Sequence, residues 1–274
     1  MEQGRGIGIS PRLIIALLIA GISLWAYFGH TEYNPVTEKK QHLDMTPNQE
    51  IALGLQSKPE MENQYGGEAS DSAGQEKVTE VGQDVVAKSV ASKTPYHFQF
   101  HLLSDAQTVN AFALPGGQVF ITEGLYKRLQ TRGELAGVLG HEVGHVVARH
   151  SAQHIAKEQL TQGLSGAAVL ATYDPNDPNS RNTAAITALV GSAVNMKFGR
   201  NDELEADKLG VRFCSEAGYD PRDMIKVMHI LDKLAGSRTP EFFSTHPNPG
   251  HRIEQIQKEI DELYPNGVPS GMIQ

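Results

Sequence analysis

The chain has 274 residues, 39% of them hydrophobic, with a net charge of -8. That is enough apolar material for one sizeable core plus appendages, and the absence of a basic face or of an aromatic-rich basic patch argues against nucleic acid as a partner. Cys214 is the single cysteine, which excludes an intrachain disulfide and a thiolate metal cluster and leaves it as a small buried apolar residue.

The first element in chain order is an address. Arg5 and Arg12 precede an uncharged run from Leu13 to Thr31, just long enough to span a bilayer as a helix. Small residues of the kind a cleavage site needs occur only at Gly21 and Ser23, inside the run, so residues 1–31 read as an uncleaved transmembrane anchor in preference to a signal peptide. Arg5 and Arg12 lie next to the run, whereas Lys39 and Lys40 lie further off beside Glu32 and Glu38. The positive-inside bias therefore holds the N-terminus in the cytoplasm and turns the rest of the chain outward.

Residues 32–72 are polar and read as a tether with one short docking helix near Glu50 to Leu55. The core begins near Gln75, where Val78, Val81, Val85 and Val86 follow helical spacing, and "YHFQFHLL" then alternates Tyr96, Phe98, Phe100 and Leu102 as a half-buried strand. In "NAFALPGGQVFITEGLY" the Pro115, Gly116 and Gly117 turn joins two short apolar runs, the pattern of a hairpin. Helices dominate from there to the end, interrupted by the loop "YDPNDPNSRN". The expected fold class is α+β, mainly helical, with a small sheet packed on helices.

"GELAGVLGHEVGHVVARHSAQH", Gly133 to His154, carries four histidines. Thr131 with Glu134 three residues on makes a capping box, so a helix is expected to start there and run through them. At roughly 100° per residue, with His141 at zero, His145 falls near 40°, His150 near 180° and His154 near 220°. The histidines thus form two pairs on opposite faces. Glu142 lies near 100°, beside the first pair, and H-E-x-x-H is the spacing that lets two imidazoles grip zinc with a carboxylate at hand as general base. The second pair has no acid between its members and reads as structural rather than ligating. Ala148 and Ser151 stand where a metzincin would place its glycine and third histidine, so a third ligand must come from elsewhere. "GRNDELEADKLG" offers one: Glu203 and Asp207, four apart, share a helical face, so Glu203 can ligate while Asp207 holds a ligand imidazole from behind.

Taken together, "HEVGH", "ELEAD" and "STHPNPGHRI", with "NAFALPGGQVFITEGLY" upstream, resemble the gluzincin metallopeptidases of the HtpX, BepA and CAAX prenyl endopeptidase family, over roughly Val78 to Ile260. The resemblance implies one zinc per chain held by His141, His145 and Glu203, with Glu142 as general base and Asp207 as support. It implies a gluzincin-type fold, with a small sheet over the active-site helix and an edge strand that binds peptide, and makes residues 73–274 the metallopeptidase domain. Either Gln118 to Thr122 or Asn110 to Leu114 is the candidate edge, an ordinary structural hairpin being the alternative. His246, in a loop stiffened by Pro247 and Pro249, has the base rate of a surface residue, but the resemblance puts it at the mouth of the site. There it would donate to the oxyanion or act as an inhibitory fourth zinc ligand. HtpX and the prenyl endopeptidase have several membrane spans, whereas this chain shows one.

The expected function is therefore that of a membrane-anchored zinc endopeptidase. It would be single-pass in the cell inner membrane, face the periplasm or extracytoplasmic side, and cut unfolded or misassembled proteins held as extended chains. The alternative is a zinc-containing chaperone or assembly factor for envelope proteins that rarely cleaves.

Overall fold

The computed structural model describes residues 10–172, 198–235, 240–247 and 250–274. The loop "YDPNDPNSRN", the apolar run "AAITALVGSAV", Arg5 and Pro249 lie outside the described residues. The chain separates into two compact units, Met1–Tyr33 with Lys39–Asp44 and Gln153–Met196 as one, Asn34–Glu38 with Met45–Ala152 and Lys197–Gln274 as the other.

The first unit holds α1 (Pro11–Gly29), which starts on a Ser10 cap with Pro at its first position. Its leucines and isoleucines, Trp25 and Phe28 are exposed, and the helix is long and apolar enough to cross a membrane. Strands β1 (Thr31–Asn34) and β2 (Lys39–His42) follow as a hairpin, and His42 stacks on Tyr27 at 4.6 Å.

In the second unit, α2 (Pro47–Gln64) starts on a full capping box, Thr46 with Gln49. The region expected to be a tether with a helix over Glu50 to Leu55 therefore carries a hairpin and an 18-residue helix. The sequence conceals α2 because it buries few apolar side chains. It docks instead through Gly54, where a Cβ would sit 2.0 Å from Pro115 O. The hairpin turn reciprocates: Gly116, at φ +81, leaves no room for a Cβ against Ile51 Cα.

Next come α3 (Ser72–Ala87), a 3-10 turn at Val90–Lys93, and a three-stranded sheet of β3 (Gln99–Leu103), β4 (Ala111–Leu114) and β5 (Gln118–Thr122). Val78, Val81 and Val85 of α3 are fully buried, together with Leu102, Val119 and Ile121 of the sheet. The strand order is β3-β5-β4, with β3 parallel to β5 from Gln99 opposite Gln118 and β4 antiparallel to it from Ala111 opposite Ile121. Gln118–Thr122 is thus the central strand and is no edge, because its backbone is committed on both sides. The outer strands among the described residues are β3, which meets Glu68 in an isolated bridge at Leu103, and β4.

The helical part comprises α4 (Glu123–Tyr126), α5 (Arg132–Val147), α6 (His150–Thr172), α7 (Arg200–Glu216), α8 (Asp223–Ala235), α9 (Phe242–Thr245) and α10 (Arg252–Leu263). Thr131 caps α5, its hydroxyl accepting from Glu134 N. The single helix expected through all four histidines is two. Ala148 closes α5, Arg149 adopts φ +56, and α6 begins at His150. A non-glycine residue in that conformation costs about 1–3 kcal/mol and needs support from its surroundings. The support is an ion pair: Arg149 Nε and Nη2 donate to Glu50 Oε1 at 2.8 and 2.6 Å, and Nη2 donates also to Met45 O at 2.7 Å. Tyr96 OH donates to the other Glu50 oxygen at 3.2 Å.

Both partners of the pair are buried, so removing one strands the other's charge. Glu50→Ala is expected to lower unfolding stability by about 3–5 kcal/mol in denaturant titration. A loss below about 1 kcal/mol, the range of exposed pairs, would show that the pair carries no such weight.

Candidate metal and peptidase site

The site is built where α5 and α7 approach backbone to backbone. A Cβ at Gly144 would lie 2.9 Å from Ala206 O, one at Gly140 would lie 3.1 Å from Cys214 Sγ, and one at Gly210 would lie 3.2 Å from His141 N. Small residues at these turns let the helices touch without intervening side chains, which sets His141 and His145 directly against Glu203 and Asp207. Cys214 is buried at this contact, its Sγ 3.3 Å from Ala136 O, and burial pushes its thiol pKa up to about 12.

His141 Nε2 lies 3.5 Å from Glu203 Oε2, His145 Nε2 lies 3.5 Å from Glu203 Oε1, and the two Nε2 atoms are 3.1 Å apart. His246, the residue following α9, joins them with Nδ1 3.0 Å from Glu203 Oε1 and 3.4 Å from His141 Nε2. One donor atom from each of His141, His145, Glu203 and His246 lies within 4.8 Å of the other three. His246 is completely buried, stacked on Phe242 at 4.6 Å. That placement differs from the surface position its base rate gave. The Phe242 amide donates to Val109 O at 3.1 Å just ahead of β4, and Tyr65 OH donates to Glu241 Oε1 at 2.6 Å, so the segment carrying His246 is tied at two points.

Behind this group, Asp207 Oδ1 stands 2.9 Å from His141 Nδ1. Arg252, at the first turn of α10, donates through Nε and Nη2 to the two Asp207 oxygens at 2.7 and 2.6 Å. Its Nη1 lies 3.1 Å from Glu203 Oε2, out of hydrogen-bond alignment. No motif in the sequence marks Arg252 as part of the site. Its burial to 1% exposure follows from the packing of α10 on α7, which no local pattern announces. His150 was likewise missed: it is fully buried, with Nδ1 2.9 Å from His145 Nδ1 and Nε2 3.4 Å from Glu205 Oε2.

The electrostatics follow from burial against hydrogen bonding. Burial pushes the Glu142 carboxyl up and holds His145 well below the ordinary imidazole value. For Glu203 burial opposes ionisation, but hydrogen bonds from His141, His145 and His246 outweigh it and hold the group far below the carboxylate range. Asp207 is likewise lowered against its burial, by the charge of Arg252 and the bond from His141. Burial works to lower His141 too, yet Asp207 and Glu203 hold it up at about 9.

These residues fit a divalent cation on two counts. With the imidazoles neutral, as metal binding requires, the ionised carboxylates of Glu142, Glu203 and Asp207 exceed the guanidinium of Arg252 by two negative charges. Both Glu142 oxygens, Glu203 Oε2 and His246 Nε2 are buried without a hydrogen-bond partner. A nitrogen and carboxylate donor set of this kind suits zinc.

Comparison with known proteins bears on the same residues. Residues 72–260 match the profile of Peptidase family M48. The chain is 30% identical over 255 residues to the mitochondrial metalloendopeptidase OMA1 of Schizosaccharomyces pombe, covering 91% of this chain and 72% of that protein. It is 31% identical over 205 residues to the β-barrel assembly-enhancing protease of Escherichia coli K12, covering 70% of this chain and 40% of that protein. It is also 28% identical over 284 residues to OMA1 of Saccharomyces cerevisiae, covering 96% and 79%.

Proposed function

The chain belongs to Peptidase family M48 and is a metalloendopeptidase, and on that footing we propose that it is a membrane-anchored, zinc-dependent enzyme that cuts unfolded or misassembled proteins on the extracytoplasmic side of a membrane. The observation that carries this reading is the convergence of His141 Nε2, His145 Nε2 and the Glu203 carboxylate, with the Glu142 carboxylate beside them, making no hydrogen bond and lying 3.6 Å from His246 Nε2.

In this reading His141, His145 and Glu203 hold one zinc. When bound, the metal supplies a Lewis acid that polarises the scissile carbonyl and makes water a nucleophile near neutral pH. Glu142 takes the proton of the attacking water and passes it to the leaving amine. Asp207 keeps His141 oriented by accepting from its Nδ1, and Arg252 keeps Asp207 ionised and fixed. The open side of β4 holds an extended peptide through main-chain hydrogen bonds, which place few demands on its sequence. Such a mode suits unfolded chains.

His246 acts as a restraint in this reading: its Nδ1 lies among the ligand atoms, so it can serve as a fourth ligand and hold the enzyme off. The other role, donation to the oxyanion, makes the opposite forecast.

Residues 1–31 serve as a single-pass anchor, with the catalytic part beyond the membrane. The support is the exposed apolar surface of α1 and the two arginines, Arg5 and Arg12, ahead of its apolar run.

Glu142→Gln is expected to abolish cleavage of an unfolded model substrate while keeping about one zinc per chain, because a general base is not a ligand. Glu203→Ala should lose the metal. Metal analysis with those two results exchanged would sink the division of roles, and a chelator-insensitive activity would sink the zinc reading.

His246→Ala is expected to raise basal cleavage. A fall in kcat of roughly a hundredfold with unchanged zinc affinity would assign the oxyanion role in its place.

Deletion through about Thr31 should release the protein from membranes after carbonate extraction, since the run removed is, among the described residues, the one helix long and apolar enough to span. Continued sedimentation with membranes would reveal another attachment.

A further inference from the structure

We propose that His150 is a positioning residue for His145, and that Glu205 orients His150 in turn, so that each metal-holding imidazole is backed by a carboxylate, one directly and one through a second imidazole. The inference rests on the reading of His145 as a metal ligand.

The tautomers follow from the contacts. His145 turns Nε2 toward Glu203 and His141, so presenting a lone pair to a cation there requires its ring proton on Nδ1. That proton points to His150 Nδ1 at 2.9 Å, which must then accept. A neutral His150 with a free lone pair on Nδ1 carries its own proton on Nε2, and Nε2 faces Glu205 Oε2 at 3.4 Å. The chain of donors thus runs from His145 through His150 to Glu205 without a conflict. It parallels the shorter pair of His141 Nδ1 with Asp207 Oδ1 at 2.9 Å.

The arrangement depends on the break at Arg149. A helix continued straight from α5 would carry His150 to the far face, near 180° from His141. The left-handed residue at φ +56 reverses this and lodges the ring against His145, with 4.9 Å between ring centroids. Both imidazoles are also covered by Phe198, whose ring stacks on His145 at 4.3 Å. The contact is therefore dry, and a donor left there without an acceptor is costly.

The test is zinc affinity, measured on the full chain in detergent by competition with a chelator, with His145→Ala as the control for the premise. That control should lose the metal, and if it keeps zinc the ligand assignment itself fails. His150→Leu should weaken zinc about 10–100-fold and shift the visible bands of the cobalt-substituted protein. His150→Asn, whose Oδ1 can stand where Nδ1 stood, should restore most of the affinity and the cobalt spectrum. Glu205→Gln should give an intermediate loss. Wild-type affinity in His150→Leu would overturn the proposal. So would a His150→Asn protein that loses as much as His150→Leu, since that pattern marks a packing role. Should His150→Leu fail to fold, Glu205→Gln and His150→Asn decide alone: unchanged affinity in the first with lost affinity in the second refutes the relay.

Discussion

The approach of α5 to α7 is the constraint on which the rest depends. His141 and His145 come from one helix and Glu203 and Asp207 from the other, so the donor geometry is set by the distance between two backbones. Gly140, Gly144, Ala206 and Gly210 fix that distance at van der Waals contact, and packed backbone is far stiffer than a layer of side chains that can change rotamer. Gly210 meets the backbone of His141 itself, so an added methyl would displace a candidate ligand and not merely loosen the core. The sheet, α3 and α8 surround this contact and exclude water from it, which is why the charges on it act at full strength.

A cluster of buried acids is tolerable only if positive charge answers it. Here the answer is divided between Arg252, which arrives from the C-terminal helix, and the cation the donor set fits. Arg252 reaches both acids of α7, forked onto Asp207 and close to Glu203. It thereby locks α10 to the site.

The amino-acid sequence made part of this legible for identifiable reasons. H-E-x-x-H and E-x-x-x-D are local periodicities within single helices, and the structure brings His141, His145, Glu203 and Asp207 together. The hairpin around Pro115 was marked by its turn chemistry, which fixes φ locally. By contrast, which strand lies at the edge depends on the parallel pairing of β3 with β5, a contact that the hairpin signal cannot report. α2 was underestimated because it docks through glycine and a buried carboxylate where an apolar stripe was the expected sign. Arg252 and His150 escaped notice because Arg252 reaches the site through the packing of α10 on α7, and His150 through the left-handed torsion at Arg149, a residue type with no preference for it.

The Glu50 to Arg149 pair closes a loop of 99 residues, and this has a bearing on the order of assembly. Helical turns such as the H-E-x-x-H segment form from near neighbours, whereas contacts across so long a separation carry a large loop-closure entropy and come late. The imidazole pair of α5 can therefore exist in a nascent helix before the torsion at Arg149 is secured and before His150 finds its seat. Two imidazoles alone would make only a weak metal site, and the remaining candidate donors join them only when the tertiary structure is complete. Metal capture and folding then reinforce each other at the final step, as in any system where a ligand binds the native state far better than its precursors.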